Sequence, residues 1–310
     1  MRTTLHIALA AIFGIIPLLF PWLGFVFTVV LAKGLAALGV AILLRAGLIS
    51  IGHAAFYALG AYVVAVLSGS AVTDLVLQLV ATVLVCGLAG ALIGLFMVRY
   101  RGIFFAMLNL AVSMVFFTLL SKLYKLTGGT DGMRVDTPTL FGVTIERSTL
   151  EPLLLYGGLA LVVVVCLLVH RYLKSPMGEA LSAVETNEIR LEYLGVSVPR
   201  VLLSAYTLSA ALAGLGGGMH ALLVGHVVPE LAYWTTSGQL VLVAVLGGIG
   251  GVVGPFIGSF FLEIVRSFAV IYVADTWNLI VGAGLLIVIF FLPVGLYGLL
   301  DRLAARRSVK

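Results

Sequence analysis

Lys33, His53, Asn109, Glu263 and Arg266 stand inside runs that are otherwise apolar, and they carry the chemistry this chain has to offer. An ammonium in the middle of such a run costs about 3 kcal/mol on membrane-insertion scales, so Lys33 must face other protein or a wet cavity. A solute carboxylate is one partner for it; an internal acid such as Glu263 is another. Glu263 and Arg266 are three residues apart, which also lets them pair with each other. Asn109 suits interhelical hydrogen bonding or a ligand contact. His53 can bond a neighbouring carbonyl, or meet a solute or a gate. These are groups for ion pairing and hydrogen bonding rather than for bond making. Nothing in the sequence resembles a hydrolytic triad, a metal cluster or a carboxylate pair, so no catalytic or metal-binding residue is assigned. Cys86 and Cys166 each lie in an apolar block and read as small packing residues.

The elements that position these groups follow from hydropathy. Of 310 residues, 62% are hydrophobic and 10% charged, whereas a soluble domain carries roughly 25% charged residues. The apolar material forms long blocks with short polar joints, as bilayer-spanning helices do. Spans are expected at about 5–23, 25–44, 47–68, 75–98, 103–124, 152–173, 201–225, 237–249, 253–273 and 277–297. The block 237–249 is short and glycine-interrupted, as where a helix breaks inside a bundle. Arg2 and the run after it imitate a signal peptide, but Pro17, Pro21 and Trp22 occupy the place of a cleavage site, so this is read as an uncleaved first span. The fold class expected is an all-α polytopic transmembrane helical bundle of about 8–10 spans, one domain over residues 1–310.

Basic residues set its orientation. Arg45, Arg99, Arg101, Arg171, Lys174, Arg190, Arg200, Arg302, Arg306, Arg307 and Lys310 mark the cytoplasmic joints. The joints between them, Ser68 to Asp74, His226 to Glu230 and Asp275, are neutral or acidic, and the mixed joint 125–151 is placed outside with them. Both termini are then cytoplasmic. The net charge of +5 sits beside helix ends rather than in a stripe, which argues against nucleic acid. Gly52 and Gly60 share an eight-residue spacing with Gly250 and Gly258, a weak sign of two half-repeats.

One cytoplasmic segment, 174–200, has its own helix punctuation. Ser175 is a natural N-cap, Pro176 sits at the first helical position, Glu179 is near the positive end of the dipole, and Gly195 can end the helix. Met177, Ala180, Leu181, Val184, Leu191 and Leu194 form an apolar stripe, with Glu179, Glu185, Glu188, Arg190 and Glu192 mostly off it. Helices that merely lie on a bilayer carry Lys and Arg opposite the apolar face. Four Glu against one Arg suit a protein groove better. The chain lacks a G-x-x-x-x-G-K-[ST] phosphate loop. If transport is ATP-driven, a separate subunit binds the nucleotide and its magnesium, and this helix is the natural contact.

These residues resemble a known family. Gly178, Ala180, Ala183, Glu185, Glu188, Leu194 and Gly195 match the coupling-loop motif of ABC-importer permeases in the branched-chain amino acid (LivM-type) version. Residues 47–62 (GLISIGHAAFYALGAY), 126–132 (LTGGTDG) and 246–258 (LGGIGGVVGPFIG) resemble three further signatures of that family, in its order. One departure is Arg45, which stands where the family usually has an aromatic.

The resemblance implies a non-enzymatic permease subunit in the bacterial inner membrane. Its expected partners are a paralogous permease, two ATP-binding cassette subunits, membrane lipid and a soluble extracytoplasmic substrate-binding protein. It would carry branched-chain amino acids or similar small polar solutes inward; urea, amides and aromatic acids travel through similar permeases. Residues 175–195 would be the lever, with Gly178, Glu179, Ala180, Ala183, Glu185, Glu188 and Gly195 coupling to the ATPase. The region of Ser50, Gly52, His53 and Phe56 would line the path, with Lys33, Asn109, Gly247 and Gly248 as further candidates. Thr127, Gly128, Gly129 and Asp131, with the joint after Met219, would receive the soluble protein. Two rivals are an ion-coupled secondary transporter, for which Glu263 is the candidate mid-membrane acid, and an integral membrane enzyme.

Overall fold

A computed structural model describes residues 23–70 and 72–272, together with Gly282 and residues 295–298. The spans expected at 5–23 and 277–297, and both termini, fall almost wholly outside these residues.

The described chain is helical. Its long elements are α1 (Leu23–Leu44), α2 (His53–Ser68), α3 (Leu75–Met97), α4 (Gly102–Lys122), the single turn α5 (Tyr124–Thr127), α6 (Arg147–Leu173), α7 (Pro176–Tyr193), α8 (Val198–Val224), α9 (Trp234–Gly247) and α10 (Gly254–Tyr272). Five of them, α1, α3, α4, α6 and α8, are long and apolar enough to cross a membrane. Where α3, α4 and α6 face outward they show Leu84, Leu88, Leu92, Phe104, Leu167 and Leu168, each at least 60% exposed. Apolar exposure on this scale is a lipid-facing surface. The chain is a multi-pass membrane protein.

The core lies where α8 packs on α1, α2 and α3. The reason is side-chain size. A Cβ added to Gly216 would run into the Ala32 carbonyl of α1, one on Gly217 into the Tyr57 carbonyl of α2, and one on Gly214 into Cys86 of α3. Lipid tails are as apolar as leucine, so hydrophobicity does not drive helices together inside a bilayer; close backbone approach over small residues does.

Two boundaries differ from expectation. The span expected over 47–68 is helical only from His53. Gly47 has a left-handed φ of 67°, and a Cβ on Gly52 would stand 2.6 Å from the carbonyl oxygen of Asn109, midway along α4. Residues 45–52 are therefore irregular backbone, with Ala46, Leu48, Ser50 and Gly52 buried in protein, the setting that tolerates it, while Gly47 and Ile49 stay exposed. The short α9 has 14 residues, about 21 Å of rise, less than the roughly 30 Å of hydrocarbon. Gly258 meets the Val243 carbonyl closely while Gly250 meets nothing, so the two glycine pairs differ in what they do.

Among the described residues, the joints sort to two ends as their charges predict. At the basic end, Gly47 lies against Glu185, and Arg101 bonds Glu188. At the other end, strand β1 (Met133–Arg134) pairs with β4 (His226–Val227), and β2 (Thr139–Leu140) with β3 (Val143–Thr144). There Asp74 caps α3 through the Val76 and Leu77 N–H groups and accepts the Phe141 N–H at 2.7 Å. That Phe141 bond, more than the other two, holds the Asp74 carboxyl below the usual carboxylate range.

Candidate functional site

The polar candidates separate into a sealed network, a mid-bundle ion pair and an arm at the basic end.

The sealed network joins α1, α2, α4 and α8. Ser209 Oγ donates to the Gly39 carbonyl at 2.6 Å, which leaves its lone pairs to accept from His53 Nε2–H at 2.5 Å. His53 Nδ1 is then the acceptor for the Ser50 hydroxyl at 2.8 Å, and the ring is the Nε2–H tautomer. Phe56 and His53 both pack edge-on against Tyr206. The Tyr206 hydroxyl donates to Asn109 Oδ1 at 2.6 Å, and the Asn109 amide donates to the Phe105 carbonyl at 2.8 Å. Ser50, His53, Phe56 and Asn109 are all 0% exposed. Every ring nitrogen and amide of the set is engaged, so the arrangement fastens helices together. We expect His53→Ala to lower stability by about 2–4 kcal/mol through the cavity and the two lost bonds. Unfolding of the purified chain in detergent measures it; an unchanged midpoint would show the ring to be dispensable for packing.

Lys33 lies apart from this network. Its Nζ donates to Glu263 Oε1 at 2.5 Å, and Arg266 Nη1 stands 3.9 Å from the same oxygen. Of the two partners open to Lys33 on sequence grounds, the internal acid is the one the fold supplies. Gly247 and Gly248 end α9: a Cβ on Gly247 would strike the Gly254 carbonyl, and Gly248 takes a φ of 94°. Both act as turn and contact glycines.

At the other end, Thr127 is buried and its hydroxyl bonds the Leu120 and Leu123 carbonyls. Gly128 and Gly129 take left-handed φ of 71° and 61°. The Asp131 carbonyl lies 3.0 Å from His226 Nε2, while its side chain stays in solvent. The loop expected to meet a soluble protein is thus built on its own bonds, with Asp131 displayed.

The arm α7 begins as its sequence dictates, with Ser175 Oγ accepting from the Gly178 N–H. Gly178 is required where α6 turns into α7, since a Cβ would press on Tyr172 and Leu173 backbone. Leu181, Val184 and Leu191 are buried, with Ala180 and Ala183 packed beside them. Glu179 and Glu185 are exposed, and Gly195 takes a left-handed φ of 79° after the last turn. Two features depart from a single amphipathic helix. Asn187 is extended, with φ −164° and ψ 97°, and breaks α7 into two pieces. Its Oδ1 accepts the Arg190 N–H at 3.0 Å and so caps the second piece. Glu188 does not face outward: Arg101 holds it by two bonds of 2.9 and 2.6 Å. Beyond it, Ile189, Tyr193 and Leu194 are 65%, 88% and 74% exposed, which water alone does not explain.

Comparison with known families places the chain. The model of the branched-chain amino acid transport system permease component matches residues 23–290. The chain belongs to that family. Permease relatives include the high-affinity branched-chain amino acid transport system permease protein LivM of Salmonella typhimurium, 32% identical over 71% of this chain and 57% of LivM, and LivM of Escherichia coli, 31% identical over the same shares. LivH of Escherichia coli is 29% identical over 40% of each chain. This permease-family chain thus spans a little over half the length of the LivM relatives. No solved structure matches it.

Sequence reasoning missed Ser209, Tyr206, Arg101 and Asn187. Arg101 is legible only as a marker of sidedness, and Ser209 and Tyr206 pass for packing residues of α8. Asn187 alone carried a local signal, because Asn bonds nearby backbone in place of a helix.

Proposed function

We propose that the chain is a membrane-spanning permease subunit of an ATP-driven importer that carries branched-chain amino acids inward across the bacterial inner membrane. The observation that carries this reading is the arm α7. Its first piece is packed onto the bundle, its second is clamped by Arg101, and its tip presents Ile189, Tyr193 and Leu194. Such a tip fits a groove on a separate ATP-binding cassette subunit, where ATP and magnesium reside. Likeness to both LivM and LivH supports pairing with a second, related permease. A soluble receptor on the opposite face delivers the solute near Asp131. Closure of two cassette subunits then pushes on the arm, and the spans rock between outward- and inward-open forms. The rival ion-coupled reading is tested by the same preparation, since it predicts uptake without any cassette subunit.

The test is reconstitution with the cassette subunits and receptor in liposomes. Tyr193→Asp with Leu194→Asp is expected to cut cassette co-purification and leucine uptake about tenfold or more, and to leave unfolding of the chain itself unchanged. Full uptake by that variant, or uptake by the chain without any cassette subunit, would remove the ground for this reading.

A further inference from the structure

Four helices deliver polar groups to one place halfway along the bundle. Lys33 stands at the middle of α1 and Glu263 at the middle of α10, bonded at 2.5 Å. Ser259, Glu263 and Arg266 lie on one face of α10, at the helical spacing i, i+4 and i+7. The rings of Tyr57 of α2 and His220 of α8 lie tilted against each other with centroids 5.7 Å apart, beside the place where Gly216 and Gly217 of α8 close on the Ala32 and Tyr57 carbonyls. The Tyr57 hydroxyl and His220 Nδ1 are buried and have no hydrogen-bond partner among the described residues. Tyr57 is 1% exposed. A buried hydroxyl left unbonded is costly and calls for an occupant. The place is enclosed around Lys33 and Glu263, which keep 12% and 8% of their side-chain exposure, and opens at Arg266, which keeps 40%. At this depth a face carrying charge opens on protein or on a wet path, not on hydrocarbon.

We propose that the Lys33–Glu263 pair, with Tyr57 and His220, is the membrane-depth site that takes the two charged ends of a zwitterionic amino acid, and that it closes on itself when empty. This rests on the importer reading above. A zwitterion leaving water needs a partner for each end, and a charge stranded in low dielectric is disfavoured. Here the solute replaces an ion pair: Glu263 receives its ammonium, Lys33 its carboxylate, and the Tyr57 hydroxyl and His220 Nδ1 complete the shell. Each charge stays matched throughout. A neutral amide, or an acid lacking the ammonium, would open the pair and satisfy only half of it. The site therefore sorts solutes a second time, after the receptor.

The decisive experiment uses the full importer in liposomes, with both permeases, the cassette subunits and the receptor, and tritiated leucine as the probe. Lys33→Met combined with Glu263→Leu removes both charges together, which a merely structural pair tolerates. Expected is an assembled complex that purifies as wild type does, with leucine uptake lower by about thirtyfold or more. Glu263→Gln, which keeps the shape, is expected to raise the leucine concentration for half-maximal uptake by about tenfold or more. Wild-type uptake in either variant would overturn the proposal and leave the importer reading standing. Absence of uptake by the wild-type importer itself would remove both.

Discussion

Gly217→Leu is expected to abolish the folded bundle, and Gly217→Ala to lower its stability by about 1–3 kcal/mol. Gly217 lies in α8 where the helix crosses α2, and even a Cβ there would lie inside contact distance of the Tyr57 backbone carbonyl. A side chain in the way could rotate; a carbonyl locked in a helix cannot, so the helices must separate. Separation loosens contacts along α8, because Gly216 meets the Ala32 carbonyl of α1 in the same manner and Gly214 lies against the Cys86 side chain of α3. The intrinsic preference for Ala over Gly in a helix, about 1 kcal/mol, works in the opposite direction, and the overlap outweighs it. Gly157 of α6 and Gly238 of α9 provide the control, since a Cβ on either meets nothing within 4 Å. Their Ala variants are expected to be neutral or slightly stabilised. Thermal unfolding in detergent separates the cases. A Gly217→Ala variant as stable as Gly238→Ala would show that close backbone contact is not what holds α8 at the centre.

Arg101→Glu is expected to cut transport about tenfold or more while costing the fold little. Arg101 bonds the Val98 and Tyr100 carbonyls at the end of α3, precedes the first residue of α4, and grips Glu188 with two further bonds. It thus links three elements at the point where α7 is broken by Asn187. The two side chains are 32% and 33% exposed, so the solvent-screened pair contributes at most about 1 kcal/mol of stability. Its geometric effect is larger: without it the second piece of α7 is free to pivot about Asn187, and a push on Tyr193 no longer reaches α3 and α4. Arg101→Glu places two carboxylates together and drives the pieces apart, whereas Arg101→Glu with Glu188→Arg restores the attraction. Uptake and ATP hydrolysis measured together test this. Hydrolysis should persist in the single variant with little uptake, and the exchanged pair should regain most of the uptake. Full uptake by Arg101→Glu would show that force travels by another route.

The amino-acid order alone determined that this chain lives in a membrane, where most helices run, and which joints share an end. Each follows from local terms: twenty-residue apolar blocks, capping residues such as Ser175 and Gly195, and the sidedness of Arg and Lys. Family membership was legible for the same reason, since its motifs are contiguous strings. Tertiary structure decided which groups the polar residues meet. His53, read as a path candidate, turned out to be enclosed with Ser209 and Ser50; Glu188, read as facing a partner, is gripped by Arg101; and Lys33 meets Glu263, 230 positions away. No sequence spacing encodes these pairings. They arise because glycines in α8 let four helices approach until side chains from distant segments share one small volume, and in a medium without water each such group must find its partner there.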